Sequence, residues 1–346
     1  MAEPWARRPG DPIVRTLLPT TYGGTPTLFG APLAETAADL RGSDVAFLGV
    51  PWRAPTPPGR VGAAASSYEG TLLTPGYFRV NSIKYGGYLP ELDLDVFEHI
   101  KLVDCGDADV VRDMGQTLAN VEAEIAAMVE AGCAPITMGG NAGPSTYPVL
   151  KAIAARAGGP TAVLNLDAHH DNLRGEWEED DPRQPQWGST WARRILTLPG
   201  VDPARFHLFG LRGPRNDRDT FTRFLERGVT REHIYTYREI KQARRAGFDE
   251  WARDLAQQVV QGASKVWIAF DPDVLNLGSN PDLGDEPLGP TVEEVIELVY
   301  QVGLAAGRKK FGGLGIMALP YNAQTLHFIC LYLLLYTLAG VVSAKS

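Results

Sequence analysis

Short apolar runs, rich in β-branched and aromatic residues and closed by Gly, Asp or Pro, alternate along this chain with longer stretches whose apolar positions recur every three or four residues. The runs 44–51 (DVAFLGVP), 100–107 (IKLVDCGD), 134–140 (APITMGG), 161–167 (TAVLNLD), 206–213 (FHLFGLRG), 234–238, 265–271 and 311–319 (FGGLGIMAL) predict strands. Between them, 117–130 (TLANVEAEIAAMVE) and 249–261 predict amphipathic helices. Thr291-Val292-Glu293-Glu294 is a capping box, opening a helix that runs to about Ala306. Apolar strands separated by helices imply right-handed crossovers and a parallel sheet covered on both faces. The expected fold is α/β: a three-layer α/β/α domain with a mostly parallel sheet of about eight strands.

Residues 1–40, rich in Pro, Gly and Thr, predict an irregular N-terminal arm, and 41–346 a single domain. Residues 326–342 are nearly all apolar but include His327, and they fall short of the roughly 20 residues that span a bilayer. Following a series of α/β units, they predict a buried core helix and no membrane partner.

Composition narrows the function classes. With a net charge of −8, the chain offers no basic stripe to track phosphates, which argues against a nucleic-acid partner. Its three cysteines, Cys105, Cys133 and Cys330, form no Cys-x-x-Cys pair, and residues 1–30 contain no apolar signal core. Both features suit a reducing, cytoplasmic location.

The candidate chemistry lies where the strands end. The run 161–166 leads into Asp167-Ala168-His169-His170-Asp171, and on an extended backbone Asp167, His169 and Asp171 would point the same way. A second run leads into Asp271-Pro272-Asp273. Carboxylates gathered at a partly buried site repel one another unless a cation or shared protons offset the repulsion. A mixed nitrogen and oxygen set suits manganese, nickel, iron or zinc better than a calcium cage. Taken singly, each Asp is as readily a cap or a loop-fixing group. Asp107, Gly139-Gly140-Asn141, Arg212 and Ala318-Leu319-Pro320 also fall at strand ends and are expected on the same rim. The acidic run 176–181 predicts a solvated loop, and the 278–290 loop, with Asp282, Asp285 and Glu286, faces either the site mouth or a neighbour.

Asp167-Ala168-His169-His170-Asp171 resembles the Asp-Ala-His-x-Asp motif of the ureohydrolases, the arginase and agmatinase family, and Phe270-Asp271-Pro272-Asp273 resembles the core of its second motif. Gly139-Gly140-Asn141-Ala142-Gly143-Pro144-Ser145 stands where the family has Gly-Gly-Asp-His-Ser. The likeness extends through Leu48-Gly49-Val50-Pro51, Asp104-Cys105-Gly106-Asp107, Phe209-Gly210-Leu211-Arg212-Gly213 and Gly313-Leu314-Gly315-Ile316-Met317. It implies hydrolysis of guanidino and related C–N bonds by a hydroxide bridging two metals, with a His shuttling protons and a Glu holding the cationic substrate.

Several of those parts are missing. Ala142 replaces the first-site His, preceded by Asn141; Trp187 replaces the shuttle; Ala318 stands where the Glu belongs. Asp167, His169, Asp271 and Asp273 would retain at most one ordinary metal position, a remnant site with Asp171 beside it. The resemblance with these losses implies a non-catalytic subunit, carrying no metal or one divalent transition ion (nickel or manganese). It would assemble with a catalytic, nickel-bearing ureohydrolase-like chain in a hetero-oligomer, of which a hexamer is one form. An active hydrolase with a remodelled pocket and a structural or small-molecule-binding homo-oligomer are the alternatives.

Overall fold

A computed structural model describes residues 21–22, 25–52, 70–111, 113–139, 143–172, 190–281 and 286–344. Asn141, Ala142, Trp187, Asp282, Asp285, the 176–181 run and residues 1–20 lie outside the described residues.

The predicted strand runs all meet in one eight-stranded sheet. We label them β1 (Val45–Gly49), β2 (Leu102–Asp107), β3 (Ala134–Met138), β4 (Thr161–Leu166), β5 (Val201–Leu211), β6 (Ile234–Thr236), β7 (Lys265–Phe270) and β8 (Phe311–Ile316). Their order across the sheet is β6-β5-β4-β7-β8-β3-β1-β2, and every pairing is parallel. β5 starts earlier than its apolar run, because Val201 already pairs with Thr161 ahead of a register shift.

Nine helices of five residues or more are described: α1 (Thr74–Ser82), α2 (Met114–Glu130), α3 (Tyr147–Arg156), α4 (Trp191–Ile195), α5 (Arg218–Glu226), α6 (Tyr237–Ala246), α7 (Phe248–Val260), α8 (Val292–Lys310) and α9 (Gln324–Ser343). The period of two along each strand sorts its side chains between two cores. Phe47, Leu164, Leu166, Ile268, Phe270 and Ile316 pack beneath α1 and α6 to α9. Ala46, Leu48, Val163, Trp267 and Ala269 pack against α2 to α5. The result is the three-layer arrangement, with both faces of the sheet dry.

Part of the segment expected to be an irregular arm is integral to the core. Leu28, Phe29 and Ala31 are buried with α1, and the Leu28 N–H donates to Asp104 Oδ2 at 2.7 Å. The Thr291 capping box forms as expected at the start of α8. Helix α9 is apolar around its whole circumference, and 67% of its most apolar stretch is buried inside the protein. It crosses α8 closely, since a Cβ on Gly340 would run into Tyr300 O and one on Gly303 into Thr337 O. Gly340→Ala is therefore expected to cost about 1–3 kcal/mol through overpacking, read as a lower urea midpoint. An unchanged midpoint would mean the helices can part freely.

Candidate metal centre

Strand order places the site. β4 and β7 are neighbours in register, with Leu166 opposite Phe270, so Asp167 and Asp271 leave the sheet side by side. Backbone bonds extend this level across the rim: Asp271 N–H donates to Leu166 O, Met317 N–H to Phe270 O and Gly139 N–H to Ile316 O. The carboxyl ends of β3, β4, β7 and β8 thus share one edge.

Past Leu166 the chain is no longer a strand, so alternation does not determine which side chains meet. Ligand atoms of Asp167, His169 and Asp273 come within 4.8 Å of one another. His169 Nδ1 lies 2.9 Å from Asp273 Oδ2 and 3.6 Å from Asp167 Oδ1. Backbone donors fix both carboxylates: Asp167 Oδ1 accepts from His169 N–H at 2.7 Å, and Asp273 Oδ1 from Ala168 N–H at 3.0 Å. Asn165 adds an amide bond to Asp167 Oδ2 at 3.3 Å.

Asp171 and Asp271 border this trio without joining it. Asp171 takes a left-handed backbone, φ 44°, and its Oδ2 accepts from Trp191 Nε1–H at 2.7 Å. Asp271 caps the turn that carries Asp273, accepting from the Asp273 N–H at 3.0 Å. Ala318, φ 53°, is buried in the apolar cluster with Met317, Ala269 and Trp267. That backbone region costs a non-glycine residue about 1–2 kcal/mol.

Two residues complete the site that motif reading did not place in it. Glu286 Oε1 lies 3.5 Å from His169 Nε2, a buried atom with no hydrogen-bond partner among the described residues. Trp191 is the other. The signal for Glu286 was its place in the 278–290 loop, expected at the site mouth or against a neighbour, and for Trp191 there was none. Arg212 holds the Glu286 loop, donating to the carbonyls of Asp273 (2.7 Å), Leu275 (3.1 Å) and Glu286 (3.2 Å). His170 faces away from the trio. Its Nδ1 accepts from Asn172 N–H and its Nε2 meets Thr220 Oγ1, and burial pushes its imidazole down to about 4.

The charges follow from this crowding. Burial and the Asp273 charge push Asp167 up to about 6. Burial raises Asp171 and Asp271 well above the carboxylate range, helped by Asp167 and Asp273 respectively. Burial alone would lower His169, but bonds and charges from Asp167 and Asp273 win and push it up to about 12. Burial likewise works to raise Asp273, and its bond to His169 overcomes that and holds it low. Without an ion, the imidazolium is the cation that offsets the carboxylates.

The donor set fits a single transition ion. Ligand atoms at about 2.0–2.2 Å from one centre are themselves about 3–3.6 Å apart, which the His169 separations match. A neutral His169 would offer Nδ1 to the ion and turn Nε2 toward Glu286, the usual orienting contact for a metal-bound imidazole.

The Arginase family profile matches residues 43–317. The chain belongs to the arginase family. Among curated relatives, a guanidinobutyrase of Pseudomonas aeruginosa is 24% identical over 283 residues, covering 80% of both chains. An agmatinase of Chromobacterium violaceum is 25% identical over 268 residues, covering 77% of this chain and 74% of its own. Among solved structures, the proclavaminate amidino hydrolase of Streptomyces clavuligerus superposes with TM-score 0.75 at 23% identity, over 94% of this chain and 99% of its own. A Trypanosoma cruzi formiminoglutamase described with Mn2+ superposes at 0.73 and 18% identity, over 93% and 100%. These structural likenesses carry the fold, and the arginase-family α/β architecture agrees with the sheet described above.

Proposed function

We propose that this arginase-family chain is the non-catalytic subunit of a heteromeric ureohydrolase. The pattern of its losses resembles the non-catalytic subunit of bacterial metformin hydrolase, in which a nickel-bearing partner cleaves metformin to guanylurea and dimethylamine. The observation that carries the reading is Ala318, sealed among Met317, Ala269 and Trp267 at the end of β8, where the family places its cation-holding Glu. A buried guanidinium without that carboxylate forgoes a charge-assisted bond of about 1.5–3 kcal/mol. Ala142 and Trp187 add the missing ligand and the missing proton shuttle, since a methyl group has no donor atom and an indole does not titrate.

Within this reading Asp167, His169 and Asp273 would hold the one ion, nickel or manganese, that the chain takes. Such an ion supplies Lewis acidity. The chain's own residues do the rest: Glu286 orients the His169 ring, Arg212 fixes the loop carrying Glu286, and Asp271 fixes the turn carrying Asp273.

A second reading, an active hydrolase remodelled for an N-alkylated guanidine or biguanide, draws on the intact Asp167, His169 and Asp273 trio. Expression alone, and together with a nickel-bearing ureohydrolase chain sought among the neighbouring genes, separates the two. Dimethylamine release from metformin is expected only from the pair. Turnover by the lone chain, abolished by Asp271→Ala, would establish the second reading and sink the first.

A further inference from the structure

At the edge of the sheet opposite the metal centre, the first residues of β1, β3, β7 and β8 (Val45, Ala134, Lys265 and Phe311) line a cavity of about 220 Å3. The length of β7, roughly 20 Å, separates it from Asp271. The inner wall is apolar: Val45, Ile100, Ile153, Phe311 and Val341 are each at most 4% exposed. Charge is confined to the more exposed rim, at Asp44, Arg156, Lys265 and Arg308. Two of those cations are answered within the chain. Arg308 pairs with Asp44 Oδ1 at 2.5 Å, and Asp44 Oδ2 accepts from the Lys101 N–H at 2.8 Å, so both Asp44 oxygens are engaged. Arg156 donates to Glu130 Oε1 from Nε at 2.9 Å and from Nη2 at 2.6 Å. Lys265 is the exception. Its half-buried ammonium donates to Lys309 O at 3.0 Å and meets no carboxylate among the described residues, so burial pushes it below the usual lysine range with no charge opposing the shift. One carbonyl serves one of an ammonium's three donors.

We propose that this cavity binds a small organic acid, with its hydrocarbon body against the apolar wall and its carboxylate on the Lys265 ammonium. Such a ligand supplies the two things the site lacks, apolar filling for the interior and a counter-charge for a half-buried cation. The volume equals the share of about seven water molecules at ~30 Å3 each, which suits an acid between butyrate and hexanoate in size. Inorganic phosphate would leave the apolar wall unfilled, and an alkylamine would bring a further cation to a rim that already carries Arg156, Lys265 and Arg308. The site lies a strand's length from the metal centre, so it goes beyond the subunit reading and does not depend on it.

The test is titration of the full chain with sodium hexanoate, followed through the methyl signals of Ile100 and Ile153, each assigned by its loss in Ile100→Val or Ile153→Val. Both signals are expected to shift together, with a Kd of about 1 mM or below. Lys265→Met keeps the stem and removes the charge, and should weaken hexanoate about 10-fold or more. Ala157→Leu fills the cavity from its half-buried flank without touching a charge, and should weaken it by a similar factor. Inorganic phosphate and hexylammonium at the same concentrations should leave both methyl signals in place. If one variant folds poorly, the other and the two control ions still decide the matter. No shift in the wild type, unchanged affinity in either folded variant, or a matching response to phosphate or hexylammonium would each overturn the proposal. Neither turnover nor a metal enters the measurement, so activity in the lone chain would undo the non-catalytic reading and leave this one standing.

Discussion

Raising the pH of the metal-free protein from 7 to 9 is expected to lower its folding stability by about 1.4 kcal/mol per unit, roughly 3 kcal/mol in all. The sign follows from proton counting. Unfolded, His169 is neutral above about 6.5; folded, it is pushed up to about 12. Its contribution is complete below the unfolded value and is lost as pH rises toward the folded one. Across 7 to 9 the native state keeps the His169 proton that the unfolded chain has largely lost, so stability falls as protons become scarce; His170, His207 and His327, which burial pushes down, oppose this only near pH 7. Asp171 and Asp271, both raised, act in the same direction, as does Glu124, which burial pushes up to about 7. Saturating Mn2+ should remove or reverse the slope, because binding needs a neutral imidazole and ionised carboxylates and so releases protons. Urea unfolding at three pH values, with chelator and with Mn2+, measures both slopes. A flat profile in chelator would show that His169 is not the imidazolium that neutralises the site.

Replacing Arg79 should be the most damaging single change away from the metal centre. Its guanidinium is buried, donating to both oxygens of Asp104 at 2.9 and 3.0 Å, to Asp107 Oδ1 at 2.7 Å and to Gly106 O at 2.6 Å. It also stacks 4.9 Å from the centre of the Phe47 ring. Asp104 is wholly buried and further accepts from the Leu28 and Gly106 N–H groups. This cluster ties the segment around Leu28, helix α1 and the end of β2 together. Arg79→Met keeps the stem and strands the Asp104 charge, at an expected cost of about 3–5 kcal/mol. Adding Asp104→Asn should recover part of the loss, since it removes the stranded charge, although Leu28 and Gly106 bond different oxygens of Asp104 and the amide carbonyl can serve only one of them. A single variant within about 1 kcal/mol of wild type would mean that water or another cation reaches Asp104.

Much of this architecture was legible in the sequence because burial on both faces leaves strands that are apolar throughout. The runs at 44–51, 161–167 and 265–271 could hardly be anything else in a chain whose intervening segments repeat every three or four residues. The site was legible only in part. Reading Asp167, His169 and Asp171 as alternate residues of a strand assumes that the strand continues, whereas it ends at Leu166 and Asp171 turns to a positive φ. Which carboxylates converge is settled by backbone donors such as the Ala168 and Asp273 N–H groups, which no motif encodes. Glu286 reaches the site from another loop and Trp191 from the start of α4, meeting Asp171 across 20 residues of chain. Neighbours of that kind appear only once the sheet is assembled.

The strand order also sets a timetable for the chain as it is made. β8 lies between β3 and β7, yet four strands and their helices are synthesised after β3 before Phe311 emerges. Until then β3 and β7 have no partner on that side, and the growing chain carries two apolar half-sheets with open edges. Slow non-local closure of this sort is where nascent chains clump or recruit chaperones. Yield should therefore depend more on growth temperature and chaperone supply than on the finished protein's stability.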